Sequence, residues 1–159
     1  MTKRQCLLVA VAAALPLAAS ALATVAVAAP PGSRGPVPLT TREVSELTSF
    51  SSPSGNIGCY IEPTNVRCDI AERSWSPPPR SASCSEMTGW GQGIQLDAGK
   101  PADFVCAGDT ALTSGSPLAY GDKIVSGSIE CTSNVDGMSC WDFVYGGSFD
   151  ISRDGYNIQ

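Results

Sequence analysis

Two hydrophobicity patterns divide the chain. Residues 6–29 carry no charge and are dominated by Leu, Val and Ala, whereas from residue 50 onward apolar residues occur in short runs separated by Gly, Pro, Asn and Asp. The short runs lack the 3.6-residue period of an amphipathic helix, and turn residues bound them as they bound strands. The pattern predicts a mainly β domain over residues 47–159. We expect a small, disulfide-stapled antiparallel β sandwich or barrel with little helix.

The N-terminal pattern is that of an export signal. Lys3 and Arg4 precede the apolar stretch, and Ala26-Val27-Ala28 ends it with small residues. This arrangement predicts a signal peptide over residues 1–28, with Ala21-Leu22-Ala23 as a second cleavage choice. The apolar run is also long enough for an uncleaved anchor, but Pro16 and the Ala-x-Ala exits favour cleavage. We expect a secreted or envelope protein without a stable membrane anchor after cleavage.

Residues 29–46 read as a linker with one possible structured turn. Four Pro and two Gly lie between residues 29 and 40, which is typical of extended, poorly ordered chain. Thr40-Thr41-Arg42-Glu43 has the spacing of a capping box, which predicts a helical turn through Leu47.

A short motif occurs twice in the domain. Ser54-Gly55-Asn56-Ile57-Gly58-Cys59 and Ser126-Gly127-Ser128-Ile129-Glu130-Cys131 are each followed by eight residues and another cysteine. Each copy predicts a β-hairpin whose cysteines face each other, because opposed residues lie about 4.5–5.5 Å apart at Cα. Eight intervening residues allow three paired positions and a two-residue loop, or a longer loop with fewer pairs. Coincidence of two short motifs is the alternative.

The cysteine count predicts three disulfides. Six cysteines follow the signal peptide, and an even number in an exported chain is typical of a disulfide framework. The hairpins predict Cys59–Cys68 and Cys131–Cys140, which leaves Cys84–Cys106, among the 15 connectivities open to six cysteines. A zinc site is the alternative, but the chain lacks the Cys-x-x-Cys pairs and histidines that zinc favours. We expect no metal and no cofactor.

Further strands follow from the remaining short runs. Residues 94–96 and 102–106 flank the turn Asp97-Ala98-Gly99-Lys100, and residues 123–130 lead into the second hairpin. Residues 143–145 and 148–152 are joined by Gly146-Gly147, a pair that suits a hairpin turn.

Several of these segments resemble a family of small secreted proteins, mainly of actinobacteria, that has no established activity. The resemblance extends from residue 50 to the C-terminus, and its most specific block is Ser52-Pro53-Ser54-Gly55-Asn56-Ile57-Gly58-Cys59. Similar pieces are Val66-Arg67-Cys68-Asp69-Ile70, Phe104-Val105-Cys106-Ala107-Gly108-Asp109-Thr110, Leu118-Ala119-Tyr120-Gly121 and Phe149-Asp150-Ile151-Ser152-Arg153. The resemblance implies an exported, cysteine-paired domain and no catalytic residue. The chain departs from the family at Gly146-Gly147.

Charge argues against a nucleic-acid partner. After cleavage, eight Lys and Arg against fifteen Asp and Glu leave a net charge of −7. An acidic domain repels phosphates and anionic membranes, and the scattered cations form no basic patch.

The absence of histidine removes Ser-His-Asp and Cys-His catalysis. A hydrolase that uses two carboxylates is still possible, because glycoside hydrolysis requires no histidine. Asp109, in the turn Gly108-Asp109-Thr110, is the first acid to test, and Glu130, next to Cys131, is the second. Asp in a turn of this kind usually caps backbone N–H groups.

Binding is the more plausible activity. Trp75 lies beside a Pro-rich stretch and Trp90 lies among glycines, so Trp75, Trp90 and Asp109 are candidate ligand-binding residues. Exposed aromatic rings stack on sugars or fill protein pockets, but the favoured interpretation is that both tryptophans cover the core of a small domain. Trp141 follows Cys140 and is expected to pack against a disulfide.

The leading hypothesis is a non-enzymatic binding module outside the cytoplasm, whose partner is an unknown protein or envelope glycan. The alternatives are a carboxylate-dependent hydrolase of envelope polysaccharide and a small protease inhibitor.

Overall fold

The computed structural model describes residues 38–112 and 115–159. The predicted signal peptide and residues 29–37 of the predicted linker lie outside these ranges. The described residues form twelve β-strands and no helix, which confirms the mainly β prediction. In the same ranges, no helix is long and apolar enough to cross a membrane.

The strands form two six-stranded sheets. Sheet 1 has the order β6-β5-β4-β3-β2-β7, and sheet 2 has the order β1-β8-β9-β10-β11-β12. The strands in chain order are β1 (Thr41–Glu43), β2 (Thr48–Ser51), β3 (Ile57–Glu62), β4 (Asn65–Ile70), β5 (Trp90–Asp97), β6 (Asp103–Cys106), β7 (Ser116–Pro117), β8 (Lys123–Ser126), β9 (Ile129–Ser133), β10 (Gly137–Asp142), β11 (Ser148–Ser152) and β12 (Tyr156–Ile158).

The core lies between the two sheets. Strands β4 and β5 contact β11, and β3 contacts β8. Alternate side chains of each strand point inward, because side-chain direction in a strand alternates with every residue. Buried residues of both sheets form one apolar cluster that includes Phe50, Ile94, Ile124, Met138 and Phe149. The architecture is therefore a β sandwich.

The hairpin motif predicts two of the three disulfides, and the third joins the two cysteines that remain. Cys59–Cys68 and Cys131–Cys140 join directly opposed residues at a Cα separation of 4.1 Å, and Cys84–Cys106 joins residues 5.7 Å apart. Glu62 pairs with Asn65 in the first hairpin, and Asn134 exchanges backbone hydrogen bonds with Gly137 in the second. Both hairpins therefore close with two-residue loops.

The two halves of the chain repeat one plan. Strands β2–β6 form an antiparallel meander in sheet 1, and β8–β12 form the equivalent meander in sheet 2. The strand before each meander pairs, in parallel, with the other sheet: β1 with β8 and β7 with β2. Matching hydrogen bonds follow, from Val44 N–H to the Val125 carbonyl and from Leu118 N–H to the Ser51 carbonyl, both at 2.9 Å. The repeated motif thus marks two similar halves of the sandwich, each of which places one edge strand in the sheet of the other.

The strand exchange corrects two expectations. The sheets are mixed rather than purely antiparallel, because β1 and β7 arrive over long connections that permit parallel pairing. The predicted helical turn over residues 40–47 is instead strand β1, followed by a bend. Thr40 does not cap a helix; its N–H donates to the Asp122 carboxylate at 2.8 Å, and the following residues bond to the edge of β8.

Two strand predictions near the second hairpin also need correction. The expected strand over residues 123–130 is broken at Gly127, which has a φ of +57° and leaves no room for a Cβ beside the Pro63 carbonyl. Residues 143–145 are not a strand but part of the connection from β10 to β11. The chain turns at Gly146 and Gly147, both with φ above +80°.

We expect reduction to abolish cooperative unfolding. The bridged residues are separated by 9, 22 and 9 positions, and loops of this size each stabilise by about 3 kcal/mol in the chain-entropy model. The combined effect is comparable with the net stability of a typical domain, about 5–15 kcal/mol. Calorimetry of the oxidised and reduced mature protein checks this. A reduced sample with an unchanged transition would contradict it, and Cys84→Ala/Cys106→Ala, which keeps two bridges, should lose less.

Candidate functional site

Asp109, the first candidate acid, belongs to a buried ion network on the outer face of sheet 1. The Arg67 side chain is only 3% exposed, and its Nη1 donates to Asp109 Oδ1 at 2.8 Å while its Nη2 donates to the Asp109 carbonyl at 2.9 Å. Burial by itself lowers the pKa of Arg67, but its hydrogen bonds to Asp69 and Asp109 outweigh burial and raise it. The same contacts lower the pKa of Asp109.

Asp69 is the centre of this network. Its side chain is fully buried and accepts two hydrogen bonds from Arg67, at 2.9 Å from Nε and 2.8 Å from Nη2. It also accepts from the Thr110 hydroxyl at 3.1 Å and from the Ala111 N–H at 2.8 Å. The carboxylate therefore fixes the segment 107–112 against the sheet. Glycine permits this approach, because a Cβ at Gly58 would lie 2.5 Å from the Ala111 carbonyl oxygen.

Trp75 and Trp90 lie in an aromatic cluster at the side of the core. The Trp75 ring is 4.8 Å from Tyr156 and 6.3 Å from Phe104, and Trp90 is 6.0 Å from Phe104. Their indole N–H groups donate to the carbonyls of Ser152 and Pro78, at 2.8 and 3.0 Å. Packing and hydrogen bonding thus account for both residues as cover for the core.

Glu130, the second candidate acid, lies on the outer face of sheet 2. It accepts from Lys123 Nζ at 2.7 Å and from the Trp141 indole N–H at 3.3 Å. Its partners therefore differ from those of Asp109, which lies on the other sheet. The structure gives each of the two acids a separate cationic partner.

Among the described residues, the largest group of neighbouring exposed apolar side chains begins at the end of β10 and continues into its connection to β11. We call residues 141–145 the aromatic loop. Its exposed fractions are 47% for Trp141, 46% for Phe143, 59% for Val144 and 70% for Tyr145. The Trp141 and Phe143 rings lie 6.0 Å apart in an edge-to-face arrangement. The aromatic loop therefore presents four large side chains to solvent.

Asp142, within this loop, is buried and fixes it. Its Oδ2 accepts from the Gly99 N–H at 2.9 Å, and its Oδ1 accepts from the Val144 and Tyr145 N–H groups at 3.0 and 3.1 Å. Gly99 lies in the turn between β5 and β6, so Asp142 also joins the two sheets. Burial raises the pKa of Asp142, but the hydrogen bonds from the Gly99, Val144 and Tyr145 N–H groups lower it by a larger amount. The net shift of the pKa is therefore downward.

Sequence reasoning missed this loop, although a signal was present. The prediction that Trp141 packs on a disulfide in the core is wrong. Cys140 faces inward, and the alternation of side chains along β10 therefore directs Trp141 outward and Asp142 inward. Applying that alternation beyond Cys140 would have identified both residues.

A polar cleft of about 520 Å³ lies at the opposite end of the sandwich. Residues 52–56, which connect β2 to β3, form one wall, and the second hairpin loop around Asp136 forms another. We call this the interturn cleft. Ile57, Ala71, Glu72, Tyr120 and Arg153 complete its lining. Among the described residues, no group of three or more His, Cys, Asp and Glu is arranged to hold a metal ion.

Loss of the Asp69 charge should destabilise the fold strongly. In Asp69→Asn the side chain keeps its shape, but Arg67 loses the carboxylate that pairs with it in a buried site. Breaking a buried pair in this way costs about 3–5 kcal/mol. Chemical denaturation of the oxidised protein measures the change. Asp109→Asn is the matched variant and should lose less, since the Asp109 side chain is 79% exposed; equal losses would argue against Asp69 as the centre.

Acid should weaken the anchor of the aromatic loop. Because the folded pKa of Asp142 lies below the ordinary value of 3.8, its stabilising effect is complete above that value and is lost as pH falls through the folded pKa. Denaturation between pH 7 and pH 2 should show a smaller acid-dependent loss for Asp142→Asn than for the parent protein. Met87→Ala, which changes an exposed residue without a carboxylate, should keep the parent slope. An unchanged slope in Asp142→Asn would refute this role.

Neither a protein-family model, a curated protein nor a solved structure matches the chain.

Proposed function

We propose that this chain is a secreted, non-enzymatic binding module that docks on another protein through the aromatic loop. One observation carries the proposal: four large apolar side chains are exposed around an aspartate that is itself buried. Contiguous exposed apolar groups on a soluble domain usually mark an interaction site. Trp and Tyr are also the residues most enriched among those that dominate binding energy.

The rigidity of the loop supports the same function. Asp142 holds two backbone N–H groups of the loop itself, and Gly147 packs so closely on the Lys100 carbonyl that a Cβ would lie 2.6 Å from it. The preceding residue, Cys140, is fixed by its disulfide. A loop ordered before binding avoids the entropy cost of being ordered by its partner.

The position of the loop favours a protein over a flat or small ligand. The aromatic side chains stand at the end of β10 and in its connection to β11, where they are exposed, and such groups fit a pocket on the partner. With a mature net charge of −7 and Glu130 at the base of Trp141, charge complementarity favours a basic rim around that pocket. The partner is thus expected to present an apolar pocket with Lys or Arg at its margin.

The geometry offers less to the hydrolase alternative. A glycosidase requires a general acid of raised pKa beside a second carboxylate, about 5–10 Å away. The pKa of Asp109 is lowered by Arg67, and Glu130 pairs with Lys123 on the other sheet. Binding is therefore the better-supported function.

The compartment and the family are part of this proposal. Three disulfides are consistent with an oxidising environment outside the cytoplasm. The charged N-terminus and Ala-x-Ala exits support secretion by a cleaved signal peptide. The block at residues 52–59, Ser-Pro-Ser-Gly-Asn-Ile-Gly-Cys, supports membership of the secreted actinobacterial family that it resembles.

Site-specific photo-crosslinking tests the docking surface. A benzophenone amino acid at position 143 of the full chain, in cells that export it, should give a discrete adduct with one protein. The partner, identified from the adduct and purified, should bind Trp141→Ala at least about 30-fold more weakly, as expected for a residue worth about 2 kcal/mol. Surface plasmon resonance measures the affinity.

Met87, which is 96% exposed, supplies the matched control. Met87→Ala removes one exposed apolar side chain away from the aromatic loop and should leave the affinity unchanged. All variants are compared only after their melting temperatures are shown to match the parent. Absence of any adduct from position 143, or equal affinity of the Trp141→Ala and Met87→Ala variants, would reject the proposed function.

A further inference from the structure

The two ends of the duplicated sandwich are equivalent in plan but differ in one connection. At the aromatic-loop end, the β8–β9 turn consists of residues 127–128 and packs directly on the first hairpin loop, where a Cβ at Gly127 would lie 2.7 Å from the Pro63 carbonyl oxygen. At the other end, the equivalent β2–β3 turn spans residues 52–56, three residues more. There the turn and the second hairpin loop stand apart, and the interturn cleft opens between them.

The longer turn is fixed in shape. The Asn56 side chain donates to the Glu72 carbonyl at 2.9 Å and accepts from the Glu72 N–H at 2.8 Å. Ser52 Oγ accepts from the Ile57 N–H at 3.1 Å, and the Gly55 N–H donates to the Ser52 carbonyl at 2.9 Å. Gly55 has a φ of +73°, and a Cβ there would meet nothing within 4 Å. The turn therefore offers rigid, uncovered backbone to the cleft.

The lining selects a neutral, hydroxyl-rich ligand. Eight of its thirteen residues carry a polar side chain, and Ile57, Ala71 and Val135 add apolar surface, which favours a ligand that has both polar and apolar faces. Arg153 lies 3.5 Å from Glu72, and Asp136 adds a second carboxylate, so the site has no excess of positive charge for an anion. Tyr120 is 45% exposed and supplies an aromatic surface. Side chains that both donate and accept, beside one aromatic ring, match the alternating hydroxyls and C–H faces of a sugar.

We propose that the interturn cleft binds a neutral oligosaccharide. Tyr120 packs on a sugar ring, and Asp136, Arg153 and the polar groups of residues 52–56 bond to its hydroxyls. The site is independent of the docking surface, because the two lie at opposite ends of the strands. The module then links a protein partner at one end to a glycan at the other.

Titration by nuclear magnetic resonance tests the cleft. The oxidised, ¹⁵N-labelled mature protein is titrated with neutral trisaccharides of glucose, N-acetylglucosamine, mannose, galactose and arabinose. Concentrations reach about 10 mM, which detects sites of millimolar Kd. At least one trisaccharide should shift amide signals of residues 52–56 and 134–137 in a saturable way, and leave the signals of residues 141–145 in place.

Variants assign the binding to the named side chains. Tyr120→Ala and Asp136→Ala should each weaken binding about tenfold or more. Leu47→Ala, an exposed apolar residue in the connection between β1 and β2 that is 64% exposed, is the matched control and should retain parent affinity. Each variant must keep the parent melting temperature and spectrum outside the cleft; if Tyr120→Ala does not fold, Asp136→Ala decides.

The outcomes that overturn the proposal are specific. They are no shift with any of the five trisaccharides, shifts centred away from the cleft, or parent affinity in the decisive variant. A parallel titration with a neutral hexapeptide that saturates the same signals, where the sugars do not, assigns the cleft to peptides instead. None of these results bears on crosslinking from position 143, so failure here leaves the docking surface intact.

Discussion

The buried pair of Arg67 and Asp69 is the interaction on which the rest of the arrangement depends. After β6, at one edge of sheet 1, the chain must reach the opposite edge to place β7 beside β2. Its path crosses the outer face of the sheet, where Asp69 holds Thr110 and Ala111 and Arg67 holds Asp109. Gln92 on β5 adds a weaker hold, because its side-chain amide donates to the carbonyls of Ala107 and Asp109 at 2.9 and 3.3 Å. The ion network thus sets the starting position of the second half of the molecule.

Duplication explains how one plan gives two different surfaces. Both halves have a hairpin closed by a disulfide and an exchanged edge strand, whereas the connections at the ends of their strands differ. Three extra residues before β3 open the cleft, and the connection after β10 carries the aromatic side chains. In both places, side-chain hydrogen bonds to backbone groups fix an exposed segment: those of Asn56 at the cleft and those of Asp142 at the aromatic loop. Function is therefore proposed where the halves diverge.

Local features were predictable from sequence, and long-range ones were not. The spacing of Cys59 and Cys68, repeated at Cys131 and Cys140, predicted hairpins and pairing because both are set within ten residues. The parallel edges β1 and β7 were missed because each depends on a strand about 70–80 residues away, whereas Thr40 carried a local signal for a helix cap. The pairing of Asp109 with Arg67 could not be predicted, because Arg67 lies in a distant strand that no local pattern connects to Asp109. Trp141 was misplaced although the local sequence carried the signal, because the alternation of inward and outward side chains along β10 directs Trp141 outward.

The reciprocal edge strands have a consequence for how the polypeptide matures. Every covalent bridge closes inside one half, at separations of 9 or 22 positions, so oxidation can follow synthesis from the N-terminus. The edge strands, in contrast, pair across the two halves. One side of β2 stays unpaired until residues 116–117 are present, and β1 stays unpaired until residues 123–125 are present. The disulfides of the first half can therefore form before its edge strands find their partners. During that interval the bare edge of β2 is a template for another nascent chain, which makes quick completion of the C-terminal half a requirement for staying soluble.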